Sequence, residues 1–194
     1  MKILYAEGKL HNAGQQILVT AVGVNKEYLS LKQKQFRMTF PDVDNIIDKV
    51  YDSCNYAVLA APGSQEPPKL GDVIWVETSG GKIIANCVIY DASHHLNIQA
   101  IEACIKSVRD KAETIEQPVI AMDLLETDRN GQATLEDWSD IVSTIENILE
   151  DMQVIVYIPE KNDLIYVIEH LPGGKNFRKI YATPSIRFRQ ISEN

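Results

Sequence analysis

The sequence predicts an α/β protein in which a mixed β-sheet lies between layers of helices. Short runs rich in Val and Ile alternate along the chain with longer segments whose apolar residues recur at helical spacing, which is typical of a sheet with crossover helices. Of the 194 residues, 45% are hydrophobic, enough for one well-buried core but a tight fit for two full domains. We therefore expect a single three-layer α/β/α module.

The first half of the chain begins with two predicted strands, "KILYA" and "QILVTAV". The next segment, "KEYLSLKQKQFRMTF", follows a helical stripe only loosely and is predicted to be a helix. A second helix follows Pro41, which suits a first helical position, and "DVDNIIDKVYDSC" places its apolar residues on one face.

A long irregular run, "AAPGSQEPPKLGD", comes next and is predicted to be a loop within one domain. Its prolines and glycines remove both backbone donors and helical geometry. Beyond it, "DVIWVET" and "KIIANCVIY" flank "SGG" and predict a β-hairpin. The second of these strands is apolar on both faces, so we expect it in the interior of the sheet.

The second half continues the alternation. The segment "NIQAIEACIKSVRDKAE" predicts an amphipathic helix that ends before Pro118, and "VIAMDLL" predicts a buried strand. A further amphipathic helix is predicted from Thr134, which with Asp137 resembles a capping box. The runs "MQVIVYI" and "DLIYVIEHL" flank "PEKN" and predict a second, C-terminal hairpin. Residues 1–158 are thus the predicted module, and residues 159–194 a C-terminal extension with a hairpin strand and a basic tail.

Charge excludes some classes of function. The net charge of −8 argues against a general nucleic-acid-binding protein. Between residues 109 and 151 twelve acids face three bases, whereas from Leu171 onward five bases face only Glu193. The basic tail is expected to rest on the acidic face of its own domain, with an acidic partner as the alternative. No run suits a membrane span or a signal peptide, so a cytoplasmic protein is predicted.

Cysteine and histidine do not predict a metal site. Three cysteines without CxxC spacing are expected to be buried thiols. His94 and His95 follow Asp91, but adjacent histidines point in different directions and no third ligand is spaced to join them. We therefore expect neither a metal nor a cofactor.

The stretch "ETDRNGQATLEDW" permits two interpretations. With Gly131 at the sixth position of a calcium loop, four oxygen-bearing residues fall at ligand positions: Glu126, Asp128, Asn130 and Asp137. That interpretation needs an entering helix, for which the preceding "PVIAMDLL" is the only candidate. Alternatively the stretch is a turn from a parallel strand into a helix, where free N–H groups favour a phosphate and carboxylates contact ribose hydroxyls.

An ordered series of segments carries a resemblance to a known family. The segments are "YAEGKL", "QILVTAVGVN", "KQKQFRMTFPDVDNIIDKVY", "LGDVIWVETSGGKIIANCVIYDA", "NIQAIEACIKSV" and "GQATLEDWSDIVSTIENILEDMQVIVY". Over residues 1–158 this series resembles the macrodomain family, particularly its compact branch of ADP-ribose glycohydrolases and ADP-ribose-1''-phosphate phosphatases. The order carries the resemblance, since no single segment is specific. It implies a macrodomain-like mixed sheet with a ligand site for ADP-ribose.

The resemblance also implies site residues. Residues in strand exits and turns would contact the ligand: Gly8, Lys9, Gly23, Asn25, Tyr90, Asn130 and Gly131. Asp128 and Asp91 are the candidate catalytic residues, because each would position water or attack the ribose. The partner implied is a small nucleotide such as ADP-ribose, free or attached to a macromolecule.

Several of these positions depart from the family pattern. The first loop reads "NKEYLSL" where the family has Met-Gly-x-Gly, and bulky side chains there obstruct the approach of backbone to a diphosphate. Lys9 replaces an acid that would hold the adenine amine, and Tyr90 and Asp91 stand where the glycohydrolase branch has a nucleophilic lysine. The second loop keeps only Gly131 of a Gly-x-Gly. The resemblance predicts nucleotide binding, whereas these changes argue against standard ADP-ribose turnover. The alternatives are an ADP-ribose hydrolase, a non-catalytic interaction protein and a calcium-binding loop protein.

Overall fold

The computed structural model describes residues 2–25, 31–57, 67–125 and 135–171. The strands are β1 (Lys2–Glu7), β2 (Ile17–Gly23), β3 (Val73–Glu77), β4 (Ile83–Tyr90), β5 (Val119–Met122) and β6 (Gln153–Ile158). The helices are α1 (Leu31–Thr39), α2 (Pro41–Ala57), α3 (Ile98–Ala112), α4 (Leu135–Ile148) and α5 (Lys161–His170).

The strands form one six-stranded mixed sheet in the order β1-β6-β5-β2-β4-β3. Neighbouring strands are parallel except for β3, which pairs antiparallel with β4 as the predicted hairpin. The predicted interior strand is β4, which lies between β2 and β3 and is buried from Ile84 to Tyr90. Because the other five strands run in the same direction, their carboxyl ends share one edge of the sheet.

Two apolar clusters cover the two faces of the sheet, which confirms the three-layer prediction. On β2, Leu18 packs with Phe36 and Ile47 of α1 and α2. Its neighbour Val19 packs instead in the cluster that contains Ile101 of α3 and residues of α4. Successive residues of a strand face opposite sides, so β2 is covered on both faces.

Capping and a cationic side chain fix the helix layer over β4 and β5. The side chain of Asn97 accepts a hydrogen bond from the N–H of Ala100 at 2.8 Å and so caps α3. From the other end of α3, Arg109 donates to the carbonyl of Ile148 and lies 3.0 Å from Asp151. This side chain joins α3 to the end of α4, where a cation also meets free carbonyls.

The predicted C-terminal hairpin is wrong, because residues 161–170 form α5 and not a strand. The edges of β6 are already occupied by β1 and β5, so an antiparallel partner cannot pair beside it. The aromatic residues of the segment use helical spacing instead. Tyr166 stacks on His170 four residues later, with ring centroids 4.4 Å apart, and meets Trp138 edge-on at 5.8 Å.

Two predicted segments lie outside the described residues: most of the loop "AAPGSQEPPKLGD" and the basic tail. Cys87 and Cys104 are buried free thiols, as predicted. In the part of the chain that the structure describes, no helix is both long and apolar enough to span a membrane.

Candidate functional site

The topology makes the carboxyl end of β2 the candidate site. Helices α1 and α2 follow β2 and pack on one face of the sheet. Helix α3 follows β4, helix α4 follows β5, and both pack on the other face. β2 lies between β4 and β5 in the sheet. Connections that leave adjacent strands toward opposite faces open a crevice at the strand ends, where α/β proteins bind their ligands.

The exit of β2 is closely packed against β4. The carbonyl oxygen of Gly23 accepts a hydrogen bond from the hydroxyl of Tyr51 on α2. A β-carbon at Gly23 would lie 3.5 Å from that of Tyr90, and the N–H of Val24 donates to the Tyr90 carbonyl at 2.9 Å. The predicted ligand residue Asn25 follows and is exposed. Gly23, Asn25 and Tyr90 are therefore brought together at the switch point.

The exits of β4 and β5 are joined by a side chain. The hydroxyl of Tyr90 donates to the carbonyl oxygen of Leu125 at 2.6 Å. The N–H of Leu125 donates to Oδ1 of Asp123 at 2.9 Å, and Leu125 has a φ of 55°. Sequence reasoning missed both Asp123 and Tyr51. A charged residue directly after the apolar run "VIAM" was the available signal for Asp123, whereas Tyr51 gave none beyond its place on an apolar helix stripe.

Asp91 begins a tight turn after β4. Its Oδ1 accepts hydrogen bonds from the N–H groups of Ser93 at 2.8 Å and His95 at 2.9 Å, and Nδ1 of His95 lies 3.7 Å from Oδ2. The backbone hydrogen bond from His95 is the main cause that lowers the pKa of Asp91. Asp91 is thus an ionised carboxylate at the edge formed by the carboxyl ends of the strands, with one oxygen engaged in the turn.

Gly8 and Lys9 lie at the exit of β1, farther along the same edge. The N–H of Gly8 donates to the Ile158 carbonyl at 2.9 Å, and its φ of 148° suits glycine. Lys9 is exposed, and its Nζ lies 3.4 Å from Oε1 of Gln35 on α1. Since β1 lies three strand spacings from β2, these residues are about 14 Å from the exit of β2. Gly8, Gly23 and Tyr90 thus lie in a row along one edge of the sheet.

The remaining predicted site residues, Asp128, Asn130 and Gly131, lie outside the described residues. The calcium-loop interpretation of this stretch requires a helix before the loop. The structure contradicts that requirement, because Val119–Met122 is a parallel strand of the sheet. Within the described ranges, no group of three or more His, Cys, Asp or Glu is arranged to hold a metal ion.

Sequence comparison finds no relatives: no protein-family model matches the chain, and neither does any curated protein. Solved structures do match. The macrodomain of Mycobacterium tuberculosis DarG superposes with a TM-score of 0.62 at 19% identity, covering 81% of this chain and 98% of that one. For the macrodomain of Thermus aquaticus DarG the TM-score is 0.59, with the same identity and coverage.

A further solved structure shares the architecture. An Oceanobacillus iheyensis macrodomain variant matches with a TM-score of 0.60 at 17% identity, over 86% of this chain and 93% of that chain. At such identities the similarity is one of fold, and it extends over almost the whole of each bacterial macrodomain.

Proposed function

Because this chain has the macrodomain fold, we propose that it binds ADP-ribose or a related small nucleotide, free or attached to a macromolecule. One observation carries the proposal: the exits of β1, β2 and β4, with Gly8, Gly23 and Tyr90, lie in a row along the edge where the topology opens a crevice. A nucleotide with two sugars and a diphosphate has the elongated shape that such a row accommodates.

The chemistry of the edge favours a ligand with phosphates and hydroxyls. At Gly8 and Gly23 an added β-carbon would meet a tyrosine side chain, so glycine allows close packing of these strand ends. The segment after β5 leads into α4, whose first N–H groups have no partner within the helix and favour a negative charge. We assign Asp128 and Asn130, in that segment, to the ribose hydroxyls.

We propose binding without turnover. The hydroxyl of Tyr90 is engaged with Leu125 and is no free nucleophile. Lysine, the nucleophile of the glycohydrolase branch, is absent from the end of β4, where Tyr90 and Asp91 stand. A hydrolase is the second candidate, and the ionised carboxylate of Asp91 at the ligand edge favours it, since its second oxygen is able to orient a water.

Calorimetric titration with ADP-ribose, ADP-ribose-1''-phosphate, NAD and calcium tests the proposal. We expect heat with ADP-ribose or its phosphate and none with calcium. A Gly23→Val variant, whose side chain meets Tyr90, should lose that heat, whereas Gly14→Val, at a position with nothing within 4 Å of an added β-carbon, should keep it. Mass spectrometry of the ligands after incubation distinguishes binding from hydrolysis. Absence of heat with every nucleotide at millimolar concentration would refute the proposed function.

A further inference from the structure

The chain leaves β5 through a backbone conformation that is unfavourable for its residue. Leu125 has a φ of 55°, in the left-handed region that leucine rarely adopts. Its side chain is fully buried in the core cluster that contains Trp138 and Ile141 of α4. Such a conformation persists only where surrounding groups hold it.

Two buried polar side chains hold Leu125, one on each side of its Cα. The Asp123 carboxylate accepts a hydrogen bond from the N–H of Leu125 at 2.9 Å, and the Tyr90 hydroxyl donates one to the carbonyl oxygen of Leu125 at 2.6 Å. Asp123 is 5% exposed and Tyr90 3% exposed. Hydrogen bonds that are shielded from water are stronger than exposed ones. A hydrogen bond to a charged acceptor is also stronger than one to a neutral acceptor.

Tyr90 is itself fixed by the neighbouring strand. The carbonyl oxygen of Tyr90 accepts a hydrogen bond from the N–H of Val24. The β-carbon of Tyr90 lies so close to Gly23 that a β-carbon added to Gly23 would be in van der Waals contact with it, at 3.5 Å. Since β2 lies between β4 and β5, the Tyr90 side chain reaches across the end of β2 to Leu125. One residue thereby links the three strand exits that surround the switch point.

We infer that Asp123 and Tyr90 are positioning residues, which set the direction in which the chain leaves β5 at the ligand edge and so support nucleotide binding without contacting the nucleotide. The inference rests on the proposed function for its effect on affinity. It also gives Tyr90 a role different from the direct ligand contact expected from the resemblance, since its hydroxyl is directed at Leu125.

Three variants and one control test this inference. Asp123→Ala and Tyr90→Phe each remove one of the two bonds, and Asp123→Asn keeps an oxygen that accepts from Leu125. The control is Asn86→Leu on the same strand as Tyr90: Asn86 is 1% exposed and donates from Nδ2 to the Ile74 carbonyl at 2.9 Å, far from the strand exits. Each protein is measured by denaturation, by amide hydrogen exchange at Leu125 and by titration with ADP-ribose.

We expect Asp123→Ala and Tyr90→Phe to speed exchange at Leu125 and to raise the Kd for ADP-ribose, both by about tenfold, as for the loss of one buried hydrogen bond. Asp123→Asn should restore both quantities to within about threefold of the wild-type values, since a neutral acceptor forms a weaker bond than a charged one. Asn86→Leu should lower global stability without either local effect. If Asp123→Ala does not fold, Tyr90→Phe, which removes a single oxygen atom, still decides.

The outcomes separate this inference from the proposed function. Faster exchange at Leu125 with an unchanged Kd would overturn the positioning role and leave nucleotide binding in place. Equal effects in Asn86→Leu would overturn it too, because they would reflect stability alone. If the wild-type protein binds no nucleotide, the proposed function fails and exchange decides alone: selective acceleration at Leu125 supports positioning of the strand exit, and unchanged exchange refutes it.

Discussion

The hydroxyl of Tyr51 on α2 donates a hydrogen bond to the carbonyl oxygen of Gly23, the last residue of β2. A helix on one face of the sheet thus holds the exit of β2, the strand at which the topology opens a crevice. This bond joins residues 28 positions apart in the sequence.

Tyr51→Phe should destabilise the protein by about 1–2 kcal/mol, because the Gly23 carbonyl loses a buried partner. Urea denaturation measures the change. Tyr166→Phe is the matched control, since the contacts of Tyr166 with Trp138 and His170 are made by its ring. Equal losses in the two variants would contradict a specific role for the Tyr51 hydroxyl.

ADP-ribose should bind more weakly than about 100 μM, a free energy of roughly −5.5 kcal/mol. The reason is the first loop, "NKEYLSL", which lacks the glycines that allow backbone to approach a diphosphate. Isothermal titration calorimetry gives the value directly. A sub-micromolar Kd would mean that the loop accommodates the diphosphate despite its side chains.

Asp128→Ala should reduce nucleotide binding. Neither calcium nor a chelator should change the melting temperature of the wild-type protein or of the variant. The prediction follows from β5 being a strand that precedes this segment and α4, and from the proposed contact of the Asp128 carboxylate with ribose hydroxyls. Asp140→Ala, an exposed acid on α4, is the control. A calcium-dependent rise in melting temperature that Asp128→Ala abolishes would favour a cation site instead.

Lys9→Asp should increase the affinity for ADP-ribose about threefold, because an exposed acid would accept from the adenine amine where lysine has only donors. Lys34→Asp, with the same charge change at an exposed position of α1, should not increase it. Comparing ADP-ribose with the inosine analogue in the calorimeter checks the cause. An equal gain for both ligands would show that charge, and not recognition of the amine, is responsible.

His11 should titrate below its ordinary pKa of about 6.5. Burial lowers the pKa of His11, and the neighbouring charge of Lys9 lowers it further. The imidazole of His11 therefore binds a proton more readily in the unfolded chain than in the folded protein. Its protonation destabilises the fold at pH values below its folded pKa, and this destabilisation disappears as the pH rises to about 6.5. NMR titration of the imidazole should show the pKa rising in Lys9→Gln and staying unchanged in Lys34→Gln.

Much of the architecture follows from local patterns. Alternation of β-rich and helical runs predicted the six strands in their observed places, because side-chain periodicity reflects which faces of an element are buried. It also located the hairpin of β3 and β4 and the interior position of β4. The resemblance implied Gly8, Gly23 and Tyr90 as site residues, and these lie along one edge of the sheet because β1, β2 and β4 run in the same direction.

Tertiary structure decided what periodicity leaves open. The run "DLIYVIEHL" suits a strand or a helix, and only the occupation of both edges of β6 by β1 and β5 makes it α5. The bonds from Tyr51 to Gly23 and from Tyr90 to Leu125 depend on sheet order as well. The local sequence pattern determines which residues are buried, since burial follows apolar spacing. Long-range packing determines which buried polar groups bond to each other across the fold, because these partners lie on different strands and helices.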